Sequence, residues 1–196
     1  MMNIAKLKTI LLGACLFMGA SSFAELKTVD SVDLQRYQGV WHQLATIPAS
    51  FQKECVRNTQ AEYKLLEDGL IQVLNSCETS DGQRKVAEGR ARINPEFQTS
   101  GKLEVTFVKL VKWIWSFAGD YWVTYLDPNY EVVLVGAPDF KYGWILSRSE
   151  SLSLETYRDL EERLRHQGYD TCNFMMSNTP AQPDVGDTSL CDFVKR

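Results

Sequence analysis

The chain has 196 residues, a formal net charge of −4 and 44% hydrophobic residues. That acidic balance argues against a nucleic-acid partner, whose phosphates need clustered Lys and Arg, and it supplies no basic membrane patch. The length suits one domain with a sizeable core.

The first element is a leader. Met1–Lys8 carries Lys6 and Lys8 and no acid, and is followed by "TILLGACLFMGA" (Thr9–Ala20) and "SSFA" (Ser21–Ala24). A basic start, a short apolar stretch and small residues at Ser22 and Ala24 predict a secretory signal peptide over 1–24, cleaved after Ala24, with a single domain over 25–196. "LGAC" (Leu12–Cys15) allows a second reading, a lipoprotein box with Cys15 acylated. Against it, only about six apolar residues separate Lys8 from Cys15, below the ~7–15 of a signal core.

Cys55, Cys77, Cys172 and Cys191 follow the leader. An even count in an exported chain reads as two disulfides, with three possible connectivities. No CxxC and no Cys/His cluster points to a metal, and no cofactor is expected.

From Gly39 to Arg148 the chain reads as eight short strands. "VWHQLATI" (Val40–Ile47) ends at Pro48. "NTQAEYKLL" and "LIQVLNSC" flank "EDG" (Glu67–Gly69), a hairpin signal. "RKVAEGRARI" (Arg84–Ile93) alternates. "KLEVTFV" puts Leu103, Val105 and Phe107 on one face and Lys102, Glu104 and Thr106 on the other, the mark of a half-buried antiparallel strand. "DYWVTYL", "YEVVLVG" and "YGWILSR" complete the set.

One helix follows, over Leu154–Gln167. Ser153 is a suitable N-cap, Leu154, Tyr157, Leu160 and Leu164 recur at helical spacing, and Gly168 ends it. The tail from Asn178 to Thr188 reads as irregular. Eight up-and-down strands and one helix predict an all-β fold, a closed antiparallel barrel with the helix packed outside. Closure removes aggregation-prone edges, and an eight-stranded barrel can hold one small ligand.

Three motifs carry a resemblance. "GVWHQLA" matches a Gly-x-Trp signature at Gly39 and Trp41, after the lead-in "VDLQRYQG" (Val32–Gly39). "LDPNY" (Leu126–Tyr130), containing Asp127, resembles a second motif, with Leu126 where Thr is common. "YGWILSR" (Tyr142–Arg148) matches a third, ending in Arg148. In order and spacing these resemble the lipocalin family, its bacterial outer-membrane and apolipoprotein D branches most of all, over about Val32 to Met176. The resemblance implies a calyx that binds a hydrophobic molecule. Gly39, Trp41, Asp127 and Arg148 are structural positions in this reading, with the Arg148 guanidinium over the Trp41 indole at the barrel floor.

In an up-and-down barrel counted from that floor, the connection between the fifth and sixth strands lies at the top. That connection, roughly Lys109–Ala118, holds "KWIWSFAG", the first part of "KWIWSFAGDYW" (Lys112–Trp122), which carries three of the five tryptophans in eleven residues. Trp113, Trp115 and Phe117 are therefore expected on the mouth, as a lip that guides an acyl chain or rests on a membrane, with Lys109 and Lys112 near a head group. The alternative is that these aromatics pack back onto the barrel. The same counting brings Cys55 and Cys77 to the top, so Cys55–Cys77 with Cys172–Cys191 is one pairing. Cys55–Cys191, as in some lipocalins, is another.

The positions expected to face inward are Ala45, Ile47, Tyr63, Leu65, Ala87, Gly89, Val105, Phe107, Tyr121, Val123, Tyr125 and Trp144, with small residues leaving room. An apolar cup with few polar groups suits a lipid. The expected function is binding and carriage of a fatty acid or lysophospholipid in the periplasm or at the outer membrane, in the service of membrane maintenance, with membrane-surface contact through the rim. The other readings are a carrier of a tetrapyrrole or other non-lipid hydrophobe, and a lipocalin-fold enzyme. Against an enzyme, the sequence holds no G-x-S-x-G elbow and no H-E-x-x-H.

Overall fold

A computed structural model describes residues 26–196. The predicted leader, Cys15 and the cleavage point after Ala24 lie outside them. Eight strands form the barrel: β1 (Gly39–Thr46), β2 (Arg57–Leu65), β3 (Ile71–Glu78), β4 (Arg84–Ile93), β5 (Lys102–Thr106), β6 (Gly119–Leu126), β7 (Val132–Gly136) and β8 (Gly143–Ser147). Each pairs antiparallel with the next, and β1 closes the ring on both β8 and β2. The expected all-β closed barrel is the fold observed.

Three helices accompany it. α1 (Leu34–Tyr37) leads into β1. α2 (Leu154–His166) packs outside, and α3 (Leu190–Phe193) lies in the tail. Ser153 caps α2, its Oγ accepting from Thr156 N at 3.1 Å, which satisfies one of the free amides of the first turn. Gly168 leaves the helix at φ +101°. No helix among the described residues is long and apolar enough to cross a membrane.

The core has two layers. Tyr157, Leu160 and Leu164 of α2 bury themselves against Leu44, Trp122, Leu134 and Ile145 on the outside of the wall. Trp41, Tyr63, Val73, Val123, Val133, Val135 and Leu146 fill the lower barrel. Strand β7 serves both: Val132 and Leu134 face the helix, and Val133 and Val135 face the interior. That is why "VVLVG" is apolar without alternation.

The sequence reading missed a ninth strand. β9 (Met175–Met176) pairs with Ala45 and Thr46 of β1. β2 pairs with β1 only over Gly39–His42, so above that point β1 has a free edge, and the tail takes it. Ser177 N donates to Leu44 O at 2.8 Å, and Asn58 N of β2 donates to Asn178 O at 2.9 Å. Cys172 is bonded to Cys191 and Cys55 to Cys77.

Candidate functional site

The floor of the barrel is built around Arg148. Its guanidinium carbon lies 3.9 Å from the centre of the Trp41 ring. Its nitrogens donate to the carbonyls of Val40 (2.8 Å), Gln38 (2.8 Å), Arg36 (3.1 Å), Tyr37 (3.2 Å) and Tyr130 (3.3 Å). One planar fork thus satisfies the carbonyls at the end of α1 and the start of β1. Gly39 sits at φ +93°, and a Cβ there would come 3.4 Å from Arg148 Nη1. Asp127 holds the β6–β7 turn: Oδ1 accepts from Glu131 N and Val132 N, both at 2.6 Å, and Oδ2 from Asn129 N at 2.9 Å.

Above the floor lies a narrow cavity of about 110 Å³, walled by residues that include Tyr63, Val105, Phe107, Tyr121, Val123 and Trp144. It continues into an open cleft of about 670 Å³, and Phe51, Gln52, Thr59, Asn75, Val105, Phe107 and Trp144 belong to both. Ala87 lines the cleft. The pair has the size and apolar character of a small-molecule site.

Three inward assignments are corrected by one kind of feature. A β-bulge falls between Gln43 and Ala45, where β1 slips one residue against β8. Below it Gln43 pairs with Leu146, and both line the cavity. Above it Ala45 pairs with Ile145 and is buried beneath α2. Ile47 follows Ala45 to the outside. A second bulge, between Val123 and Tyr125, sends Tyr125 out against Arg163 of α2, 4.2 Å from its ring centre. An extra residue inverts every later side chain. Gln43, which the inward list above lacks, precedes the bulge and faces in by unbroken alternation with Trp41.

Trp113 and Trp115 are corrected too. Neither lines the cavity or the cleft. They turn onto the outer face of β4, where the Arg90 guanidinium lies 4.9 Å from the Trp113 ring and that of Arg92 lies 4.0 Å from the Trp115 ring. Arg90 and Arg92 alternate with the buried Gly89 and Ala91, so they point outward. Phe117 does stand on the cleft. The tip of this connection is a tight turn closed by the Lys109–Trp113 bridge, with Leu110 N donating to Lys112 O at 3.1 Å. It presents Leu110 and Val111, 78% and 93% exposed, between Lys109 and Lys112, and Phe117 is 69% exposed. Neither lysine lines the cup.

At the lower end of the cavity Tyr37 Oη and Tyr63 Oη lie 2.8 Å and 2.9 Å from Tyr121 Oη. Each hydroxyl donates once, so two bonds leave one proton unspent. Burial holds all three phenols in the neutral form: it pushes Tyr63 up to about 12 and Tyr37 and Tyr121 well above the ordinary tyrosine value. The two histidines take no part. His42 pairs with Ser147 away from the cavity, and His166 lies on α2 beside Glu162.

A family profile described as "Lipocalin-like domain" matches residues 32–179. Temperature-induced lipocalin-1 of Arabidopsis thaliana is 40% identical over 165 residues, covering 82% of this chain and 88% of that protein. Outer membrane lipoprotein Blc of Vibrio cholerae is 34% identical, over 83% of this chain and 90% of that protein. Apolipoprotein D of Mus musculus is 32% identical, over 79% and 81%.

Proposed function

The chain belongs to the lipocalin family, whose members bind small hydrophobic ligands, and on that premise we propose that it binds and carries one single-chain lipid, a fatty acid or lysophospholipid, in the cell envelope. One observation carries the reading: a narrow apolar cavity opens into a wider cleft, so a chain can enter tail first with its polar end in the open part. An exported location agrees with two disulfides, which persist in oxidising compartments. The predicted leader supplies the route, with cleavage after Ala24 or acylation of Cys15.

The rim extends the proposal to a membrane surface. Leu110, Val111 and Phe117 form an exposed apolar lip beside the cleft, and Lys109 and Lys112 flank the tip. Such an arrangement suits an interface where apolar side chains enter the lipid and ammonium groups meet head-group phosphates.

The direct test is native mass spectrometry of the purified protein followed by lipid extraction. The expected result is one single-chain lipid per protein. A pigment, or a cup that takes up no lipid offered in solution, overturns the reading.

A further inference from the structure

The polar atoms of the cup narrow the ligand further. Asn75 Oδ1 and Gln52 Oε1 are buried with no hydrogen-bond partner, and both side chains line the cavity and the cleft, where the two meet. Gln52 is held from behind: its Nε2 donates to Gln43 Oε1 at 3.0 Å, and Gln43 Nε2 donates to Ser177 Oγ at 2.9 Å. A buried polar atom without a partner is costly, and a ligand group that completes it is correspondingly favoured.

Charge points the same way. Among the described residues no Lys or Arg lines the inner cavity. Lys85 reaches the cleft but is paired with Glu54. Asp120 and Asp139 stand on the same cleft. Burial pushes the Asp120 carboxyl up, and Asp139, Glu104 and Glu96 add to the effect. A ligand carboxylate brought beside Asp120 would meet the same burial, while Asp139 is held down by Lys141, 3.1 Å away. At the floor, Arg148 commits its donors to backbone carbonyls.

Resting on the lipid reading above, we propose that the cup selects amphiphiles whose polar part next to the chain is neutral and donates a hydrogen bond, such as a glycerol hydroxyl or an amide N–H, over free carboxylates of equal chain length. The chain occupies the apolar cavity, and the hydroxyl or N–H meets Asn75 and Gln52.

The experiment displaces the neutral dye N-phenyl-1-naphthylamine from the full chain with 1-monolauroylglycerol and with laurate, each below its micelle concentration at pH 7.5. The expected result is that the glyceride binds at least about ten-fold more tightly. Asn75→Leu should remove most of that preference by weakening the glyceride while laurate changes less than two-fold. Gln52→Leu serves as the second variant, and thermal melts certify that each variant folds. Equal affinity for the two lipids, or a preference that survives both substitutions, overturns the neutral-head proposal and leaves the lipid reading standing. If neither lipid displaces the dye, the lipid reading fails and this proposal falls with it.

Discussion

The ring of Phe107 occupies the space that a side chain on Gly89 would fill: a Cβ placed on Gly89 would lie 2.8 Å from Phe107 Cδ1 and from the Thr106 carbonyl oxygen. The room left by the small residue is therefore already taken, and Phe107 bounds both the cavity and the cleft. Phe107→Ala is expected to join the two into one wider cup. The ring is 42% exposed, so the cost should be about 1–2 kcal/mol, below that of a fully buried Phe. Affinity for branched-chain lipids should rise relative to straight-chain ones. Competition titrations beside thermal melts check this. Unchanged selectivity would show that Phe107 does not set the width.

The floor predicts a loss of stability without a loss of site. Trp41 is fully buried, and Trp41→Ala should cost roughly 3–5 kcal/mol. Arg148→Ala should cost less, about 2–4 kcal/mol, by orphaning several carbonyls. Arg148→Lys should rescue little, because an ammonium cannot reproduce the planar fork. Urea unfolding measures the cost, and dye titration of the folded fraction should show unchanged affinity.

At the rim, the tip and the tryptophans should separate. Leu110→Ser with Val111→Ser should weaken co-sedimentation with phospholipid vesicles by more than about ten-fold and leave the melting temperature unmoved, since both residues are exposed. Trp113→Ala with Trp115→Ala should lower the melting temperature through lost contact with Arg90 and Arg92 and spare lipid affinity. The reverse pattern would return the tryptophans to the mouth.

The buried phenols predict alkaline sensitivity. Tyr63 has its folded value raised to about 12 from an ordinary 10.0. The folded state thus holds the proton more tightly than the unfolded state does. This contribution to stability is complete below pH 10 and is lost as pH rises towards 12, by up to about 2–3 kcal/mol. Tyr37 and Tyr121 shift in the same direction. Tyr63→Phe should make the fall of the urea midpoint shallower between pH 9.5 and 11.5. An unaltered slope would show that this phenol titrates normally.

The eight barrel strands, their closure, the outer helix and the Trp41–Arg148 contact were legible because each rests on period, caps or motif order, whereas the two-residue β9 is too short to show a period. The inward list was right as far as alternation ran unbroken, through Tyr63, Val105, Phe107, Tyr121, Val123 and Trp144. It failed at Ala45, Ile47 and Tyr125, beyond the two bulges. "WHQLATI" and "WVTYL" carry no glycine or other local mark of an extra residue. The bulges follow from how neighbouring strands pair, which only the closed barrel decides. Trp113 and Trp115 misled for a related reason. Their place in the chain was correctly at the top, but which way they turned depended on Arg90 and Arg92, distant in sequence. The exposed tip lay in the less conspicuous Leu110 and Val111.

The ninth strand bears on the order in which the molecule can be completed. A ribosome delivers β1 well before Met175–Met176, so until those residues follow the upper edge of β1 has no mate. The eight strands can close at the floor through Gly39–His42 and Tyr63–Gln60, but the wall above stays unsealed until β9 arrives and the Cys172–Cys191 bond ties it down. A chain stopped before Thr171 carries an open edge ready to join that of another chain.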